Sequence, residues 1–74
     1  MTKLSPLKPR EVISKLKKLG FIVDHVSGSH YIMFNAKTKT RIRIPYHAKD
    51  LKTGTLRSII KQTELSVEEF SKIK

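Results

Sequence analysis

The chain of 74 residues has no cysteine and no tryptophan, only three glycines and three prolines, and six acidic residues against sixteen lysines and arginines. Each shortage excludes something. Without cysteine there is no disulfide framework, no thiolate zinc site and no thiol nucleophile. The longest apolar runs, such as Phe21-Ile22-Val23 and Tyr31-Ile32-Met33-Phe34, fall far short of the roughly 18 to 20 residues that a membrane span needs, so no membrane association is expected. The opening Met1-Thr2-Lys3-Leu4-Ser5-Pro6 has no apolar stretch behind its charge. It does not read as a signal peptide, and a cytoplasmic protein is expected. The scarcity of acids leaves a formal charge of 16 − 6 = +10. An apolar fraction of 38% is too high and too regular for a disordered basic tail, which puts the surplus charge on a folded surface. A small folded domain so charged expects a polyanion or an acidic protein as its partner. The length allows a single domain, 1–74, with residues 1–7 expected as a loosely ordered lead-in, and a domain this small buries only about 60% of its unfolded surface.

What is present is patterned. Val12, Ile13, Leu16 and Leu19 recur on one helical face, with Pro9 suited to the first helical position and Gly20 to the position after the end. Leu7 and Val12 can staple the start, Glu11 and Lys15 can pair one turn apart, and Lys17 and Lys18 suit the negative end of the helix dipole. From Phe21 the period changes. Phe21 to Val26 and His30 to Phe34 are β-rich runs around the turn cluster Ser27-Gly28-Ser29, and Thr40 to Ile44 alternates strictly, so Ile42 and Ile44 face a core and Arg41 and Arg43 face outward. In the second run both parities are apolar: His30, Ile32 and Phe34 share one face, Tyr31 and Met33 the other, and the buried side stays open. Residues 46–53 form a basic loop in which Thr53 can cap a second helix with Leu56, Ile59 and Ile60 as its buried stripe. Ser66-Val67-Glu68-Glu69 is a capping box opening a short last helix. The order α-β-β-β-α plus a short C-terminal helix predicts an α+β fold, a three-stranded antiparallel sheet with helices on one face. It resembles the outline of a double-stranded-RNA-binding domain, which reads A-form shape and phosphates.

The charge is concentrated. From Lys37 to Lys61 stand eight basic residues, among them Arg41, Arg43, Lys49, Lys52 and Arg57, against the single acid Asp50. Two of them lie on an outward strand face and two just before a helix N-terminus, where free backbone N–H groups favour phosphate. The plainer alternative is a solvated surface kept basic for solubility.

Chemistry must come from few groups. The three histidines and six acids show no metal-ligand spacing and no Gly-rich phosphate loop is present, so neither metal nor cofactor is expected. His25 reads as a strand-surface residue. His30 differs, because it directly follows Gly28 and Ser29: glycine lets backbone approach a phosphate, serine offers a hydroxyl and an N–H, and an imidazole exchanges a proton near neutral pH. With RNA the substrate's own 2′-hydroxyl can be the nucleophile, so one base and cationic stabilisation of the phosphorane suffice. A histidine after a turn is also, in many proteins, merely a polar hairpin residue.

Several segments in order carry a family resemblance: Pro9 to Ile13, Lys18-Leu19-Gly20-Phe21, Gly28-Ser29-His30-Tyr31, Ile44-Pro45-Tyr46-His47, Leu51 to Ile59 and Ser66 to Phe70. Across nearly the whole chain the sequence resembles the HicA-type toxins of bacterial and archaeal toxin-antitoxin systems. The resemblance implies a metal-independent mRNA interferase with His30 as the residue needed for cleavage and Gly28 and Ser29 shaping the turn. It also implies a HicB-type antitoxin that binds and blocks the toxin, giving a hetero-oligomer, with the free toxin a monomer. His47 matches a family Pro-x-His, with substrate positioning or a structural role preferred over proton transfer. Two departures are Thr53, where many relatives carry proline, and Thr63-Glu64-Leu65, where relatives often have a helix-ending glycine. The expected RNA-holding set is Gly28, Ser29, Arg41, Arg43, His47, Lys49, Lys52 and Arg57. Competing readings are a non-catalytic RNA-binding module and a small subunit whose basic face pairs with an acidic protein.

Overall fold

A computed structural model describes residues 5–47 and 49–73. Its elements are α1 (Pro9–Lys18), β1 (Ile22–Ser27), β2 (His30–Asn35), β3 (Thr40–Pro45), α2 (Thr53–Gln62) and α3 (Val67–Ser71). The strands make one antiparallel sheet in the order β1-β2-β3, and the fold is α+β, consistent with the double-stranded-RNA-binding outline.

α1 starts and stops where its punctuation requires. Pro9 takes the first helical position, the Lys8 N–H donates to the Glu11 carboxylate at 2.9 Å, and Gly20 follows the C-cap Leu19 at φ +101°, a left-handed geometry that glycine adopts without Cβ strain. Val12, Ile13 and Leu16 are buried. The expected Glu11–Lys15 pair is replaced by other contacts: Glu11 serves the Lys8 N–H, while the Lys15 ammonium donates to the Ile73 carbonyl and lies 5.8 Å from the centre of the Phe70 ring. Of the lead-in, residues 1–4 lie outside the described residues, and Leu7 packs partly on the core with its carbonyl accepting from the Leu51 N–H at 2.8 Å.

The sheet register settles the parity that sequence left open. Tyr31 pairs with Ile44 and Met33 with Ile42, whereas His30 pairs with Pro45, Ile32 with Arg43 and Phe34 with Arg41. Met33, Ile42 and Ile44 are fully buried beneath the helices; side chains alternate across a strand, so His30, Ile32, Phe34, Arg41 and Arg43 occupy the opposite face. No helix among the described residues covers that face. On β1, Ile22 pairs with Phe34 and His25 with Ile32, with a bulge between Val23 and His25. Asn35, buried at the far end of β2, donates to the Leu19 carbonyl at 3.2 Å and accepts from the Lys37 N–H at 2.9 Å, tying the sheet to the end of α1.

α2 buries Leu56, Ile59 and Ile60 as its spacing predicts. Its cap is Lys52 rather than Thr53: the Leu56 N–H bonds the Lys52 carbonyl at 2.9 Å, which draws Thr53 into the first turn, and no side chain caps the helix. Beyond its end Glu64 takes φ +66°, the left-handed position where glycine usually stands. The capping box opens α3: the Ser66 N–H donates to the Glu69 carboxylate at 3.0 Å and the Glu69 N–H to Ser66 Oγ at 3.1 Å. Phe70 then seals the core.

Candidate functional site

The hairpin between β1 and β2 is as tight as a hairpin can be. Ser27 pairs directly with His30, leaving Gly28 and Ser29 as a two-residue loop. Gly28 has φ +57°, which fits the loop type that places glycine first. A Cβ there would meet nothing within 4 Å, so conformation, not crowding, demands the glycine, and the backbone is open to an approaching group. His30 is thereby fixed as the first residue of β2, half-buried, on the uncovered face beside Pro45.

The ladder continues one residue past β3. The Tyr46 N–H donates to the Ser29 carbonyl at 2.6 Å, holding the segment Tyr46-His47 against the Gly28-Ser29 turn. The Tyr46 ring stacks on Tyr31, centroids 4.6 Å apart and planes 28° from parallel. Tyr46 and His47, with Lys8 and Arg10 from the start of α1, line a cleft of about 300 Å³. Three of its four lining side chains carry or can carry positive charge.

Electrostatics at this end are set against helix stability. Both long helices have lysine at the N-cap, Lys8 and Lys52, and neither cap accepts a hydrogen bond through its side chain. A cation at the positive end of a helix dipole is unfavourable, and the usual occupants are Ser, Thr, Asp or Asn. The hydrogen bond between Leu51 and Leu7, the residues just before the two caps, brings these helix starts together. Two unfavourable lysines at adjoining helix starts, beside a cleft with Arg10 and His47, concentrate positive potential where an anion would relieve it.

The bond from Tyr46 to Ser29 places Gly28, Ser29, His30 and His47 at this end of the molecule; Lys52 stands at the start of α2, tied to the start of α1 through Leu51 and Leu7, and Lys49 is exposed in the loop before it. Arg43 and Arg41 stand further along the uncovered sheet face, the Arg41 guanidinium 5.0 Å from the centre of the Phe34 ring. Arg57 is not brought together with them: it is exposed on α2, in the layer on the other side of the sheet. Sequence reasoning missed Lys8 and Arg10, which reach the site only because α1 starts beside Tyr46, a proximity no local spacing encodes. It also missed the partner of His25, whose Nδ1 is 2.7 Å from the Asp24 carboxylate on the same sheet face as His30. On the other face of β2, Met33 is fully buried in the core and Tyr31 is half-buried under Tyr46. Among the described residues no three His, Asp or Glu side chains converge as metal ligands would, and no helix is long and apolar enough to cross a membrane.

The family model described as HicA toxin of bacterial toxin-antitoxin matches residues 9–65. The chain belongs to the HicA toxin family. No individual curated protein matches it. The HicA match runs from the first residue of α1 to the turn before α3, so it includes the Gly28-Ser29-His30 hairpin, the Tyr46-His47 segment and the start of α2. As a HicA toxin the protein is one half of a toxin-antitoxin system and has an antitoxin as its partner.

Proposed function

We propose that this HicA toxin is an endoribonuclease that cleaves mRNA without a metal ion, and that a HicB-type antitoxin restrains it in the cytoplasm. The observation that carries the reading is the position of His30: in a HicA chain it opens β2 directly after an unobstructed glycine turn, on the uncovered sheet face, at the end of the sheet where the Tyr46-His47 segment is bonded to that turn. In the proposed step the substrate's 2′-oxygen attacks the adjacent phosphorus, a cyclic phosphate forms, and the bond to the 5′-oxygen breaks. One proton leaves the 2′-hydroxyl and one reaches the departing 5′-oxygen; His30 carries one of these transfers as general base or acid. Arg43, beside Ile32 on the same sheet face as His30, neutralises the phosphate charge that grows in the phosphorane, while Lys49, Lys52, Lys8 and Arg10 hold phosphates further along the strand. Gly28 and Ser29 supply backbone that a phosphate can approach. His47, in the cleft wall, positions the substrate strand.

The reading is tested by expressing the toxin without an antitoxin. Growth arrest and loss of full-length transcripts are expected with the wild type and neither with His30→Ala. Arrest by His30→Ala as strong as the wild type's would remove His30 from the chemistry and leave a toxin that acts by occupying RNA. His47→Ala is expected to raise KM with kcat little changed, as loss of uniform binding does.

A further inference from the structure

The uncovered face of the sheet is the largest feature that this site leaves unexplained. Its central column is His30, Ile32 and Phe34 of β2, flanked by Arg43 and Arg41 on β3 and by Ile22 on β1. Ile22 is 61% exposed, while Ile32 and Phe34 are only half-buried although they stand in the middle of a sheet. An apolar column in water needs a reason, since the surface of a small monomeric domain seldom collects such residues in a row. The charge at its border narrows the occupant. Besides Pro45, the other two β3 residues on this face are arginines, and the acid of β1, Asp24, is engaged by the His25 imidazole. The face therefore combines flat apolar surface with two guanidinium groups, one already 5.0 Å from the centre of the Phe34 ring.

We propose that this face is the track for a single-stranded RNA substrate, with a base stacked on Phe34 and its Arg41, another on Ile32, and the strand's phosphates drawn to Arg43 and Arg41 as it leaves His30. The proposal deepens the nuclease reading and rests on it. Three features favour this occupant. Unpaired bases offer the apolar π-faces that match an aromatic and a guanidinium plane, whereas a duplex hides its base faces and presents phosphate and 2′-hydroxyl groups, leaving Ile22, Ile32 and Phe34 unmatched. Same-face positions on a strand recur at about 7 Å, so the column is a row of separate shelves rather than one pocket. The row ends on His30, so a strand whose reacting phosphate lies at that imidazole must pass over Ile32 and Phe34 in one of its two directions. Recognition by helix caps alone, as the double-stranded-RNA-binding outline suggests, would use none of these residues.

The test places a reporter on the shelf. The chain has no tryptophan, so Phe34→Trp introduces a single one; the probe is a single-stranded RNA oligonucleotide with methylated 2′-oxygens, its integrity checked on a gel, and the same sequence as a duplex. Saturable quenching of the introduced indole's emission by the single strand, and little by the duplex, is expected. In direct binding, Phe34→Ala and the volume-keeping Phe34→Leu should each weaken the single strand by roughly 5- to 100-fold, the range for losing one base–aromatic stack, with melting curves confirming that both variants are folded. Single-strand binding that is undiminished in both variants, with no quenching, would overturn the track while leaving the nuclease reading in place; loss on Lys8→Ala and Arg10→Ala instead would assign the strand to the cleft. Quenching by the purified antitoxin but not by RNA would overturn it in favour of a protein on this face. Absence of any RNA binding by the wild type would overturn the nuclease reading and the track together.

Discussion

The two faces of the sheet are built from the same three strands, yet they are opposites. One carries Met33, Ile42 and Ile44, none with measurable exposure, under α1 and α2; the other carries His30, Ile32, Phe34, Arg41 and Arg43 and meets no helix. The alternation of a β-strand, one residue in and one residue out, is what separates them. Adjacent residues, such as Met33 and Phe34 or Ile42 and Arg43, therefore answer to different demands: the first of each pair to the core, the second to solvent and, in the proposed track, to RNA. In a domain this small no position lies far from the core, so assigning function to one face and stability to the other is the simplest way for a chain of this length to hold both.

That separation can be broken deliberately. The largest effect is expected on the covered face: Met33→Ala removes a fully buried side chain and should cost about 2–5 kcal/mol, the range for such truncations. For a domain of this size that is a large share of the total, and chemical denaturation measures it; a loss as large from Arg43→Ala, its counterpart on the exposed face, would erase the distinction. Next comes the basic end, where function and stability are opposed. Lys52→Ser supplies the cap that α2 lacks and should stabilise the protein by about 1 kcal/mol, while RNA binding weakens and its dependence on the logarithm of salt concentration flattens by about one unit. Destabilisation by Lys52→Ser would show that the lysine serves the helix rather than a phosphate.

Smaller effects are expected away from both faces. Glu64 at φ +66° holds a left-handed conformation that costs a residue with a Cβ roughly 1–2 kcal/mol, partly offset for glycine by its greater unfolded freedom. Glu64→Gly should then raise stability by up to about 1 kcal/mol with RNA binding and cleavage unaltered, readable in a thermal melt. The smallest effect is at α3. The hydrogen bonds from the Ser66 backbone and then its side chain hold the Glu69 carboxyl below its ordinary value of 4.5, with Lys72 adding a minor share. A folded-state value lower than the unfolded one means that the contribution to stability is present above the unfolded value and disappears as pH falls through the folded one. Ser66→Ala keeps the backbone N–H, the larger cause, and removes the side-chain share, so the Glu69 titration, followed by NMR, should move part of the way back up toward 4.5; no change would show that the Ser66 hydroxyl does not act on the Glu69 carboxyl.

Much of this was legible in the residues. Pro9 and Gly20 bracket α1, the strict alternation of Thr40 to Ile44 orients β3, and Ser66 to Glu69 spells the start of α3. β2 resisted because its outward face is itself apolar: with Ile32 and Phe34 on one side and Tyr31 and Met33 on the other, hydrophobicity has no period to read, and only pairing with the alternating β3 decides the matter. The ambiguity has the same cause as the proposed track, since a strand apolar on both faces in a one-layered helix-on-sheet fold has one apolar face left over. His30 stands out as a candidate because glycine and serine precede it and because the HicA resemblance points to it. Lys8 and Arg10 were not, because their meeting with Tyr46 and His47 joins segments more than thirty residues apart. The Thr53 cap failed for a local reason: the Leu56 N–H bonds the Lys52 carbonyl, so the helix starts one residue earlier and Thr53 falls in its first turn.

The measurement that bears most directly on the central claim incubates purified wild type and His30→Ala with a long mRNA in excess chelator, following cleavage and retention together. The wild type is expected to cut, and His30→Ala to retain the RNA while cutting it more slowly by about 10² to 10⁴, the loss for a general acid or base, with unchanged melting. Equal cutting by both proteins, or intact RNA retained equally by both, would contradict it.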